Sequence, residues 1–369
     1  MYPTKKLAII GLGKMGISHL AIANATPGIA IAAVCDSSVL VGRLVEKYCK
    51  IPYFSDFHQV LEHGGLDAIV VATPTRAHES MIRAALELGL HIFCEKPLTL
   101  SAQISLELAA LAKEKSVVTQ VGYHNRFVAT FAEAKRLIGF GAIGRVRHLH
   151  AEAYGPVVLK PQAKTWRSNS SEGGGCLYDY AAHPINLMNW YAGAPVSCRG
   201  SHLTQQYSTA VDDAVYANLE FAHGVSGQIS VNWSDETVRK MTTKLTAWGD
   251  HGKIIVDRQE LQLFISNDGV VPESYKKGWN IKYITELTPN VDYYLRGEEY
   301  SAQMADFRRL MANPSEESIN SFSHAADTDN SLEMIRAAAA RKPFIQWSDN
   351  TELVSEKKRS RWRLGRIGR

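Results

Sequence analysis

Unbroken apolar runs alternate with amphipathic stretches over the first third of the chain. Residues 7–10 predict a buried strand, followed by a helical stretch broken at Pro27-Gly28 and a second apolar strand that ends at Cys35-Asp36. The pattern then predicts a helix over 39–50, a short strand over 51–54, a helix over 56–63 and a buried strand over 67–74. A helix over 77–88 stops at Gly89, and a strand follows over 91–97. Ser101 caps a helix running to about 115, and a strand over 117–122 closes the series. Strands without polar alternation, separated by helices, mark a parallel sheet covered on both faces.

Beyond Tyr123 the period changes. A helix over 128–138 precedes an alternating strand over 146–154, a long Gly/Pro/Ser-containing loop to Gly175 and a helical region over 177–191. Strands are then expected over 196–205, 214–221, 225–233, 245–249, 253–257, 261–266 and 280–287. Val225, Gly227, Ile229, Val231 and Trp233 alternate with polar residues, so one face of that strand is buried and the other is not. Two late helices are expected, one with Tyr300, Met304, Phe307 and Met311 on a stripe, the other carrying Leu332, Ile335 and Ala339. The expected fold class is α/β. It comprises an N-terminal Rossmann domain (1–122), a C-terminal α+β domain (123–354) with a large, mostly antiparallel open sheet and a last helix packing back on the first domain, and a tail (355–369).

Between the first strand and helix stands Gly11-Leu12-Gly13-Lys14-Met15-Gly16. Three glycines at this spacing permit a tight turn, close approach of backbone to a pyrophosphate and close helix–strand packing, with helix N–H groups facing the anion. Asp36 lies 20 positions past Gly16, at the end of the next strand, where a carboxylate accepts from both ribose hydroxyls and repels a 2′-phosphate. Ser37 and Ser38 follow, and no arginine occurs until Arg43, so NAD is expected in preference to NADP. Asp36 is equally placed to cap the following helix.

Composition narrows the class without changing it. The 369 residues are 45% hydrophobic and 21% charged, as in ordinary soluble proteins, and their number suits two domains. No apolar run approaches the ~20 residues that span a bilayer, and the start leads directly into a core strand, so a cytoplasmic protein is expected. Cys35, Cys49, Cys94, Cys176 and Cys198 are scattered, which argues against a disulfide framework and a zinc site. Seven of the last fifteen residues are basic against one acid, leaving a slightly acidic body that is no nucleic-acid binder by charge. The basic end reads as a solvated tail, or more weakly as an anchor for an anionic surface.

Ligands of open parallel sheets sit outside the carboxyl ends of the strands, which here are Ala72-Thr73-Pro74-Thr75 and Glu95-Lys96-Pro97. Pro97 disfavours helical geometry at Lys96, so its ammonium is directed from an extended strand end; a solvated lysine at the strand exit is the plainer alternative. The second constellation is Gly173-Gly174-Gly175 followed by Asp179 and His183. The last two share a face if helical, although Pro184 favours a helix that begins there. His183 is the best candidate general base, with an ordinary pKa of about 6.5; a buried, satisfied histidine with Asp179 as a helix cap is the alternative.

In order and spacing, the Gly11–Gly16 motif with Asp36, Thr73-Pro74, Glu95-Lys96-Pro97, the segment 121–127, Trp166-Arg167 and the triple glycine with Asp179 and His183 resemble the Gfo/Idh/MocA oxidoreductases. Val211-Asp212-Asp213 and the segment 248–252 also look like that family's C-terminal domain, while the basic tail does not. The resemblance implies that Lys96 orients the substrate and assists proton transfer, with Asp179 and His183 as carboxylate and acid/base histidine. It implies a cofactor lined by Gly11, Leu12, Gly13, Lys14, Met15, Gly16, Asp36, Ser37, Thr73, Pro74, His78, Glu95, Lys96, Tyr123, Asn125, Trp166 and Arg167, and a homodimer or homotetramer built on the C-terminal sheet. Asn186 stands where many members carry an acid, and His124 and Asn125 fall in a variable segment, so substrate contacts do not carry over.

The expected activity is an NAD-dependent dehydrogenation of a secondary hydroxyl on a sugar, cyclitol or nucleotide sugar, without a metal and without a nucleic-acid or integral membrane partner. A ketoreductase or tight-cofactor oxidoreductase of a sugar pathway, and a non-catalytic NAD-binding sensor, remain as alternatives.

Overall fold

A computed structural model describes residues 3–161, 165–291 and 293–340, so the basic tail lies outside the described residues. The first half is a six-stranded parallel sheet. Its strands are β1 (Lys5–Ile10), β2 (Ile29–Cys35), β3 (Tyr53–Phe54), β4 (Ala68–Val71), β5 (His91–Cys94) and β6 (Thr119–Val121), in the order β3-β2-β1-β4-β5-β6. The helices between them are α1 (Lys14–Ala25), α2 (Val39–Cys49), α3 (Phe57–His63), α4 (His78–Glu87) and α5 (Ala102–Glu114). Every residue of β4 is buried, as its unbroken apolar run requires. Side-chain caps start two of the helices: Asp56 accepts from the His58 N–H and Ser101 from the Ile104 N–H.

The second half opens with α6 (Ala129–Phe140) and β7 (Val146–Tyr154), then α7 (Ala182–Ala192) and the strands β8 (Pro195–Thr204), β9 (Ala214–Phe221), β10 (Ser226–Asn232), β11 (Lys244–Gly249), β12 (Gly252–Asp257), β13 (Glu260–Ile265) and β14 (Gly278–Tyr283). These eight strands form one sheet in the order β14-β13-β12-β11-β7-β10-β9-β8, antiparallel except for the parallel β7–β10 pair. Leu149, Ala151 and Ala153 of β7 face the core while His148, His150 and Glu152 face away, so one side of the sheet is covered and the other is open.

After α8 (Ile284–Leu287), the helices α9 (Glu298–Ala312) and α10 (Phe322–Ala339) return to the first half. Met304, Phe307 and Met311 of α9 join Leu7, Ile9 and Phe93 in one core, with the Phe93 and Phe307 rings 5.9 Å apart. On α10, Asp329 accepts from the Thr99 N–H and the Ser105 hydroxyl, and Glu333 from the Ala102 N–H.

Two expectations are corrected. The strand expected over 280–287 ends at Tyr283, where Glu286 folds back to accept the Tyr283 N–H and Thr288 N–H closes a helical turn on Ile284. The helical region over 177–191 is not one α-helix: a π-turn, Leu177–Ala181, runs into α7, with Pro184 just past the junction.

Candidate active site

The glycine-rich turn is shaped by contacts that no side chain could share. Gly11 takes φ +93°, and a Cβ on Gly16 would lie 1.7 Å from the Gly11 carbonyl oxygen. A Cβ on Gly13 would meet nothing within 4 Å, so this glycine faces open space at the N-terminus of α1. That terminus has no side-chain cap and no acid in its first turn, which leaves its N–H groups and dipole for an anion. Asp36 accepts the Leu12 N–H (2.6 Å) and the Ser38 N–H (2.7 Å), one on each carboxylate oxygen, and keeps further lone pairs for ribose hydroxyls. The residues present therefore fit a dinucleotide.

A chain of polar contacts leads from this cradle to the strand exits. His19 of α1 donates to Glu95 Oε1 at 2.6 Å. Burial alone would raise the Glu95 carboxyl, but the His19 ring and the neighbouring Lys96 bring it below the ordinary range, so it stays ionised. Lys96, preceding a cis proline, extends its ammonium to the second half of the molecule, 2.7 Å from Asp179 Oδ1 and 2.7 Å from the Asp179 carbonyl oxygen.

Asp179 is held by loops that the glycines and Asp212 allow to pack. A Cβ on Gly174 would lie 2.4 Å from the Arg167 carbonyl oxygen, and one on Gly175 2.8 Å from Asp212 Oδ1. Asp212 accepts the Leu177 N–H at 2.6 Å, at the start of the π-turn that carries Asp179. The other Asp179 oxygen accepts from Arg167 Nε at 3.0 Å, and the Arg167 guanidinium stacks over the half-exposed Trp166 ring. Burial opposes ionisation of Asp179, yet Lys96 and Arg167 keep its carboxyl below the usual range.

His183 lies one turn further on, buried, with Nδ1 enclosed and unpartnered; its ring meets the His124 ring edge-on at 4.9 Å. Burial, then Lys96 and His124, push its pKa well below the ordinary histidine value, so the ring is neutral at pH 7. This enclosure sets it apart from the ordinary histidine value of about 6.5. His124 itself is pushed down to about 4 by burial and stacks on Tyr300 of α9 at 4.8 Å.

The structure thus brings Lys96, Asp179, Arg167 and His183 together, with Glu95 and the Gly11–Gly16 turn adjoining. Thr73 is half-buried, and Lys14, Pro74 and Ser37 are exposed along the same edge. Other expected cofactor contacts sit behind it. His78 is fully buried, its ring nitrogens 3.0 and 3.1 Å from the Thr73 and Leu98 carbonyl oxygens, so it braces both strand exits. The Tyr123 ring and Asn125 are also buried, while His124 between them is half-buried. Asn186 accepts from buried Arg126 and donates to Thr328, which ties the segment after β6 to α7 and α10 behind the site. The sequence placed His124 only in a variable segment, two residues past Gly122, and Tyr300 only on the apolar stripe of a late helix; nothing local marked the stacking of the two rings.

A nucleotide cradle on the carboxyl edge of a parallel sheet, joined through Glu95 to a lysine, carboxylate and histidine cluster, defines a dinucleotide-dependent oxidoreductase. Residues 5–123 match the oxidoreductase family with an NAD-binding Rossmann fold, GFO_IDH_MocA, and residues 131–255 match the GFO/IDH/MocA C-terminal domain. The scyllo-inositol 2-dehydrogenase (NAD(+)) of Bacillus subtilis (strain 168) is 31% identical over 247 residues, spanning 62% of this chain and 67% of the relative. The rhizopine catabolism protein MocA of Rhizobium meliloti is 28% identical over 230 residues, 61% and 70% of the respective chains. Among solved structures, levoglucosan dehydrogenase in its apo form shares the fold with a TM-score of 0.82 at 22% identity, covering 92% of this chain and 97% of its own. GenD2 from gentamicin A biosynthesis, in complex with NAD, gives 0.74 at 26% identity over 92% and 95%. The chain belongs to the Gfo/Idh/MocA family of oxidoreductases.

Proposed function

We propose that this chain is an NAD-dependent dehydrogenase that oxidises a secondary hydroxyl of a sugar, cyclitol or nucleotide sugar. The observation that carries the reading is the set of Lys96, Asp179 and His183. Two of the three Lys96 N–H groups are fixed on Asp179, so the third has a defined direction for a substrate oxygen. NAD, when bound, supplies a hydride acceptor at C4 of its nicotinamide. His183, neutral and enclosed at Nδ1, takes the hydroxyl proton at Nε2. Asp179 holds the Lys96 ammonium in place, and Arg167 holds Asp179 from the other side.

Asp36 supports NAD over NADP, since both its oxygens lie where a 2′-phosphate would meet negative charge. The inositol and sugar dehydrogenases among the relatives support the substrate class. We also infer a homodimer or homotetramer formed through the open face of the eight-stranded sheet, supported by Phe264 and Trp279, 5.4 Å apart there, and half-exposed Ile281. Five free cysteines support a cytoplasmic compartment; no helix among the described residues is long and apolar enough to cross a membrane. The test is NADH formation with a panel of polyols, sugars and nucleotide sugars; failure across the panel would leave the non-catalytic reading.

A further inference from the structure

The segment leading into α9 lies along α1, on the flank of the nucleotide cradle. Tyr293 donates to the Ile22 carbonyl oxygen (2.8 Å) and shares a hydrogen bond with the Thr26 hydroxyl (2.7 Å), near the C-terminal end of that helix. Three residues on, the chain turns sharply, with Arg296 at φ +67° and Gly297 at φ +153°, and Arg296 Nη1 donates to Ser18 Oγ at 3.2 Å. Ser18 Oγ in turn donates to the carbonyl oxygen of Lys14, the first residue of α1, at 2.9 Å. The second half of the molecule thereby sets a guanidinium one turn from the glycine-rich motif.

That end of α1 is already positive. It carries the positive end of the helix dipole, with exposed Lys14 in its first turn and no acid there. A further cation at such an end is unfavourable unless an anion joins it. Arg296 is exposed and, among the described residues, makes no ion pair. The carboxylate three positions on, Glu299, is already taken by Arg258 in a bidentate pair of 2.5 and 2.6 Å.

Arg296 also closes a column of rings that ends at the reacting centre. Its guanidinium lies 5.2 Å from the Tyr300 ring centroid, Tyr300 stacks on His124 at 4.8 Å, and His124 meets His183 at 4.9 Å. The column runs from the cradle to His183, the same interval that a dinucleotide bridges between its pyrophosphate and its nicotinamide.

We propose that Arg296 is a cofactor-binding residue, a cation supplied by the second half that pairs with the pyrophosphate of the dinucleotide at the cradle. The inference rests on the reading of the Gly11–Gly16 turn as that cradle. Its test is fluorescence titration of the full chain with NADH, and displacement of NADH by ADP-ribose, which carries the pyrophosphate without the nicotinamide. Arg296→Gln is expected to raise both dissociation constants about tenfold at about 0.1 M salt, and the difference from wild type is expected to shrink below about threefold at about 1 M, because salt screens an exposed ion pair. Arg296→Lys, which keeps the charge, is expected to stay within about threefold of wild type. A purely structural role would lower the thermal midpoint and weaken binding alike at every salt concentration. Constants within about twofold of wild type in Arg296→Gln, a weakening that does not respond to salt, or a weakening for NADH but not for ADP-ribose overturns the proposal and leaves the cradle standing. A wild type that binds neither nucleotide overturns the cradle and the proposal together.

Discussion

Replacing Asp213 by Asn removes one negative charge from a site built only of donors. Asp213 is fully buried and accepts five hydrogen bonds, three from consecutive backbone N–H groups of the 206–208 segment, one from the Ser208 hydroxyl and one from the Trp233 indole. With the amide oxygen turned to the three N–H groups, those bonds persist but lose their charge assistance, about 0.5 kcal/mol or more each. The amide NH₂ then faces Ser208, whose hydroxyl can rotate to accept, and Trp233 Nε1–H, which cannot. Leaving that donor buried and unmatched costs about 1–3 kcal/mol. The total is about 3–4 kcal/mol, which lowers the thermal midpoint by roughly 4–5 °C in a chain of 369 residues. Calorimetry or near-ultraviolet circular dichroism of Trp233 measures it, with exposed Asp268→Asn as a control that moves by less than ~0.5 kcal/mol. Burial opposes ionisation of Asp213, but its hydrogen bonds bring the folded-state pKa below the ordinary value. Its stabilisation is therefore present above about pH 4 and lost as pH falls through the lower folded value, so the gap between the two proteins narrows there. A loss below about 1 kcal/mol at pH 7 would refute the reasoning.

Gly16→Ala drives a methyl group into the Gly11 carbonyl, so the backbone must shift, and it is expected both to weaken NADH binding more than tenfold in a fluorescence titration and to lower the thermal midpoint. Asp36→Ala is expected to raise the Kd for NAD about tenfold and lower that for NADP, measured in the same way. Asp329, fully buried, is pushed up to about 7, so the folded state holds a proton that the unfolded chain releases near pH 4; this group's stability contribution is lost between about pH 4 and 7, and Asp329→Asn is expected to flatten that part of the stability profile. The acid limb of kcat/KM is expected below pH 6.5 because His183 resists protonation, and a limb at or above 6.5 would remove His183 as its origin.

Hydrophobic periodicity and glycine spacing made the two sheets legible, because a strand's burial and a turn's backbone are local matters. Asp36 was legible for the same reason, its distance from Gly16 being set by one strand and one helix. The π-turn before α7 was not, since it depends on Asp212 reaching from a distant segment to hold the Leu177 N–H. Nor was the partner of Asp179: spacing suggested His183, while the folded chain delivers Lys96 and Arg167 from either side. His183 retained its ordinary pKa on paper because a sequence does not reveal enclosure. Asp213 carried a family pattern in the sequence, but its five donors come together only when the 206–208 loop closes on Trp233.

The role proposed for Lys96 and His183 is chemistry at a cradle that binds NAD without them. The direct measurement is NADH formation by the wild type, Lys96→Ala and His183→Ala on whichever sugar or cyclitol the panel selects, with NADH affinity determined in parallel. The expected result is a fall in kcat of at least a hundredfold in each variant with NADH affinity changed less than about threefold. Undiminished turnover in either variant contradicts the role given to that residue, and undiminished turnover in both contradicts the account.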